Sequence, residues 1–157
     1  MKKLLLSLAL LMGLTGAASA EVVKISVADA ISAMDGLASI DAGYERIIKD
    51  GANERVVTAH HELLANVKAG MAKDIARLRA ALTPVMDEYN AVRASLCPDG
   101  VERCQGENRK KSDAEFAAVM RRELSLDLIL FTDADFEKYA IRPLILSRLG
   151  PLLPGLK

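Results

Sequence analysis

Hydrophobic positions recur along this chain every three or four residues, and between residues 57 and 96 they settle into heptads. Val57, Leu64, Met71, Leu78, Val85 and Val92 stand seven apart, with Ile75, Leu82, Tyr89 and Leu96 at the complementary offset. One apolar seam on one long helix satisfies both series. The helix is expected to open near Asn53 and, unbroken, to run roughly 65 Å. Pro84 removes a backbone donor and crowds the preceding turn. Because the heptad phase survives past it, a kink in register is expected; a fresh start capped by Thr83 is the alternative. His61 and Lys68 interrupt the seam, and Val56, Leu63 and Val67 broaden the apolar face there.

The flanking segments carry shorter signals. Residues 21 to 26 alternate weakly and suit extended chain, with Ser26 or Asp29 placed to cap a helix. Ile31, Met34, Leu37, Ile40, Tyr44 and Ile47 then form a helical stripe, weakened by Gly36 and Gly43. Downstream, residues 105 to 111 read as a polar connection, and the capping box from Ser112 to Glu115 starts the next helix, with Phe116, Met120, Leu124, Leu128 and Phe131 on one side. Leu124, Leu126, Leu128 and Leu130 also alternate as in a strand, but the capped context favours helix. Thr132 caps a last helix that Pro143 should kink and the Gly150-Pro151 pair should end. The predicted architecture is all-α: a helical bundle built on one long, kinked, heptad-patterned helix and a short disulfide-tied loop.

The first twenty residues follow a different logic. Lys2 and Lys3 precede an apolar run over residues 4 to 14, and Ala18-Ser19-Ala20 stands before Glu21. This is the layout of a cleavable secretory signal, and the run is too short to span a bilayer. The expected organisation is a signal peptide over 1–20, a single helical domain over 21–157, and a periplasmic or secreted location.

Composition narrows the picture further. Lys and Arg number 21, as do Asp and Glu, and cleavage would remove two lysines, leaving a slight acidic excess. No basic field is left for nucleic acid. With no Trp and three each of Tyr and Phe, the core must be aliphatic. The only cysteines, Cys97 and Cys104, enclose Pro98-Asp99-Gly100, a turn-forming run. In an oxidising compartment such a pair is a structural disulfide; a redox site would show two intervening residues and zinc would need two more ligands.

Candidate chemistry is thin. His60 and His61 are adjacent, so on a continuous helix they diverge by about 100° and cannot share a metal. Met34, Met71, Met86 and Met120 are read as core filling. Asp133, Asp135 and Glu137 resemble the start of a calcium loop, but Lys138 stands where glycine is required. Asp87 and Glu88 diverge, and Lys73, Asp74, Arg77 and Arg79 read as a solvated helix face. No catalytic, cofactor-binding or metal-ligating residue is expected.

A helix of this length needs more cover than two short helices supply, which directs attention to protein contacts. The expected function is that of an exported, non-enzymatic protein acting as a homodimer, an adaptor for an envelope protein client, or a holdase-type chaperone. Small exported helical chaperones share the general organisation in shape only, without the strongly basic charge some carry. The expected contact face comprises Leu64, Met71, Leu78 and Leu82, with Leu144, Leu152 and Leu153 near the C-terminus. The alternative is a binder of small apolar ligands or of a membrane surface, with peripheral contact through the C-terminal segment.

Overall fold

A computed structural model describes residues 20–51, 53–100 and 102–155. In chain order it contains β1 (Ala20–Ser26), α1 (Val27–Ala42), β2 (Tyr44–Asp50), β3 (Asn53–Ala59), α2 (Ala65–Leu96), α3 (Gly106–Arg121), β4 (Glu123–Ile129), α4 (Asp133–Phe136), α5 (Pro143–Leu149) and a 3-10 turn, Gly150–Leu152. The all-α expectation is overturned. The described residues are 58 % helical and 21 % strand, with two small antiparallel sheets. The expected signal segment lies outside the described residues apart from Ala20, which opens β1.

The two sheets arise for different reasons. β1 and β4 pair with Val23 opposite Leu126 and Ile25 opposite Leu124. Their alternation places Val23, Ile25, Leu124, Leu126 and Leu128 inward while Lys24, Ser125 and Asp127 stay outside, the pattern of a sheet with one covered face. Read as a helix, the same leucines would scatter around the axis. Helix α3 already begins at Gly106, so Ser112 is not a cap but a buried residue in its middle. The chain turns extended at Arg122, and the N–H of Val27 donates to the Arg122 carbonyl at 2.9 Å.

The second sheet, β2 with β3, replaces the end of the predicted first helix and the start of the predicted long one. Residues 47–48 and 56–58 are β-branched and lose side-chain freedom in a helix. Between them Gly51 takes φ +62° in a two-residue connection, the chemistry of a tight hairpin.

Helix α2 therefore spans 32 residues rather than the whole seam. It runs through Pro84 without a break, and Leu82, Val85 and Tyr89 stay buried on both sides of the proline. Helix α1 lies against α2 and α5, and β4 lies against α2. Gly36 lets α1 approach α5 closely: a Cβ there would stand 2.9 Å from Leu149 Cδ2 and 3.1 Å from Arg148 Cβ. Pro143 does not kink a helix; it occupies the first turn of α5, where its missing donor costs nothing. Thr132 and Asp135 form the capping box that starts α4.

Cys97 and Cys104 form a disulfide, with Cα atoms 5.1 Å apart. Cys97 caps α2, and the Gly100 N–H donates to the Cys97 carbonyl at 3.0 Å, so the bridge closes the turn that sends α3 back along α2. Arg122 adds a second tie, donating to both oxygens of Glu88 at 2.7 and 3.2 Å; this pairing holds the Glu88 carboxyl below its ordinary value.

Candidate functional site

The sheet of β2 and β3 stands apart from this packing. Beyond pairing with each other, its strands make only marginal contact with the other helices and strands among the described residues. Gly43 sets its departure: φ is +83°, and a Cβ at this position would run into the Ala59 carbonyl. The base is fastened by histidines. His60 Nδ1 lies 3.2 Å from the Asp41 carbonyl oxygen, and the His61 ring packs on Tyr44 with centroids 5.0 Å apart. Burial, and then the neighbouring His60, lower the His61 pKa.

Outward from this base the ribbon has two distinct faces. The register sets Glu45 opposite Thr58, Ile47 opposite Val56 and Lys49 opposite Glu54. Because side chains alternate, these six residues share one face. Ile47 and Val56 are 60 % and 61 % exposed, side by side, with the Lys49–Glu54 ion pair (2.7 Å) toward the tip. The other face carries Tyr44, Arg46 and Ile48 against Ala59, Val57 and Arg55, and there the aliphatic side chains are half-buried. A two-stranded ribbon is marginal in water by itself. It also leaves each outer strand edge with unpaired backbone groups, a template for another strand.

The residues expected to form a contact face are divided. Met71, Leu78 and Leu82 are buried in the intramolecular core, as are Leu152 and Leu153. The N–H of Phe131 donates to the Leu152 carbonyl at 2.9 Å, fastening the C-terminal segment to the body. Leu64, at the start of α2, and Leu144, on α5, are exposed at 59 % and 69 %. They lie on separate elements, and neither has the continuity of the ribbon. The ribbon itself was hidden in sequence by two helical stripes that share its residues. The signal that would have revealed it is the Asp50-Gly51 dipeptide between Ile47-Ile48 and Val56-Val57-Thr58.

Asp74, read from sequence as part of a solvated face, is fully buried, and burial raises its pKa to about 6. Its oxygens accept the Ile129 N–H at 2.9 and 3.1 Å, and Arg77 lies 3.4 Å away. This carboxylate is a clasp between α2 and β4, without access to a substrate. Asp135 turns its carboxylate to Thr132 as part of the helix cap. Among the described residues no group of three or more His, Cys, Asp or Glu is arranged to hold a metal ion, and no helix is long and apolar enough to cross a membrane. Two mostly apolar recesses are open to solvent, one of ≈ 250 Å³ lined by Asp133, Phe136, Glu137, Leu146 and Leu153 and one of ≈ 490 Å³ lined by Ser26, Ala28, Phe116, Ala117, Met120 and Arg121.

Compared with known proteins, the chain matches no family model, no curated protein and no solved structure. The disulfide points to a non-reducing compartment.

Proposed function

We propose that this is an exported, non-enzymatic protein that works through contacts with other polypeptide chains, and that the ribbon of β2 and β3 is its contact element. One observation carries the reading: Ile47 and Val56 form an exposed cross-strand pair on a ribbon that the body does not cover. Exposed apolar side chains beside an open strand edge are a standing aggregation hazard, and partnering removes it. The layout of the first twenty residues and the disulfide support export. Of the roles such a protein could have, a dimer or adaptor built by strand addition fits a narrow ribbon better than a holdase, which needs a broad surface. The alternative of membrane contact through the C-terminal segment is weakened by the burial of Leu152 and Leu153.

Excision of residues 44–59, with Gly43 joined to His60 through a short glycine linker, tests this. On native gels of gently extracted cells the intact protein should run above its monomer mass and the excised one at monomer mass. Intact protein running as a monomer, or both running in the same larger assembly, would overturn the proposal.

A further inference from the structure

Resting on that reading, we infer that the chain docked on the ribbon is a second copy of this protein, added antiparallel along β2 and centred on Ile47. The backbone phase allows it. A two-residue connection puts a hydrogen-bonded pair at Asp50 and Asn53, and alternation then aims the backbone groups of Tyr44, Arg46 and Ile48 at β3. Those of Glu45, Ile47 and Lys49 face the open edge.

A second β2 laid there with a two-fold axis at Ile47 sets Ile47 against its own copy and Glu45 against Lys49, twice. Both sets fall on the face that carries Val56. The result is an apolar stripe of Val56, Ile47 and their copies across four strands, flanked on each side by opposite charges. Lys49 already holds Glu54 at 2.7 Å, so the partner's Glu45 completes a three-membered chain of charges. On the reverse face Arg46 meets Ile48 and Tyr44 meets Asp50, with no like charges opposed. That Asp50 arrives at the ribbon base, where Arg142 lines the same recess as Tyr44 and Glu45.

Other arrangements are poorer. The outer edge of β3, paired with itself about Val56, sets Glu54 against Thr58 and Arg55 against Val57, so no opposite charges meet. Centring β2 on Arg46 opposes two arginines. Centring it on Ile48 pairs Arg46 with Asp50, but it sets Ile47 against Lys49, interrupting the apolar stripe with Val56, and shortens the overlap to residues 46–50. Parallel in-register pairing stacks every charge on its like.

Sedimentation velocity over a range of concentrations tests the pairing in full-chain protein purified from the exporting cell. The wild type should dimerise. Glu45→Lys and Lys49→Glu each convert two attractions into two repulsions and should weaken the dimer by about ten-fold or more. Mixed in equal amounts, the two variants should dimerise with each other. One chain then carries lysine at both positions 45 and 49 and the other carries glutamate at both, so opposite charges meet at each of the two sites. This rescue also establishes that both variants are folded. A wild type that stays monomeric up to about 1 mM, a dimer indifferent to either substitution, or a mixture that does not associate would overturn the second-copy proposal. If such a monomer still runs in a larger, ribbon-dependent assembly on native gels, the protein-contact reading stands and the partner is a different chain.

Discussion

Asp74, in the middle of the long helix, holds the backbone N–H of Ile129 with both carboxylate oxygens, at 2.9 and 3.1 Å, from a site with no solvent exposure. The clasp fixes the end of β4 against α2, beside Gly70, over which Ile129 and Phe131 pack. Burial is the largest influence on this group, outweighing the opposing effects of the Ile129 hydrogen bond and Arg77, and it lifts the pKa to about 6.

Stability should therefore depend on pH through Asp74 in the sense opposite to most carboxylates. The folded state keeps its proton up to about pH 6, whereas the unfolded chain releases it near the ordinary value of 3.8. Between those limits the folded state binds more protons, so acidification through the window stabilises, by roughly 3 kcal/mol in total. His61, with its lowered pKa, works the other way below pH 6.5. Denaturant melts of wild type and Asp74→Asn at several pH values separate the two: the wild type should gain on the variant as pH falls from about 7 to about 4. A difference that stays flat would mean that Asp74 is ionised at its ordinary pKa.

The disulfide closes a short loop, so its loss should be modest. Replacing Cys97 and Cys104 by serine together should cost roughly 2.5 kcal/mol in a chemical melt and leave the assembly of folded protein unchanged. Assembly lost while the fold persists would assign the cysteines a redox role in contact.

Gly36 sits inside a helix, where alanine is ordinarily better by about 1 kcal/mol. Here its Cβ would press on Leu149 and Arg148 of α5. Gly36→Ala should lower the melting temperature, because overpacking costs roughly 1–3 kcal/mol and exceeds the gain in helix propensity. An unchanged or higher melting temperature would show that α5 moves aside freely.

How much of this was legible in the sequence depended on whether neighbouring signals agreed. From Met71 to Tyr89 the heptads largely match the buried positions, Met71, Leu78, Leu82, Val85 and Tyr89 lying in the core while Val92 further on is exposed, and the helix and its passage through Pro84 follow the pattern. The Cys97–Cys104 bridge was legible because turn chemistry and compartment pointed the same way. Where Tyr44 and Ile47 continued one helical period, and Val57 began another, periodicity outweighed the local evidence of paired β-branched residues around Asp50-Gly51. Leu124, Leu126 and Leu128 showed a strand period, but the Ser112 box argued for helix; only the partner strand, about one hundred residues earlier in sequence, decides between them. Asp74 is the clearest limit. Its burial is set by Ile129, 55 residues away, and nothing local distinguishes it from the charges around it.

The most direct measurement places a photo-crosslinking amino acid at Ile47, with a second variant carrying it at Ala118, an exposed position on α3. Both are illuminated in cells that express the full chain. The account predicts protein adducts from position 47, prominently of twice the chain mass, and none from position 118. Illumination that leaves position 47 without a polypeptide adduct, or yields the same adducts from both positions, would contradict the ribbon's role as the contact element.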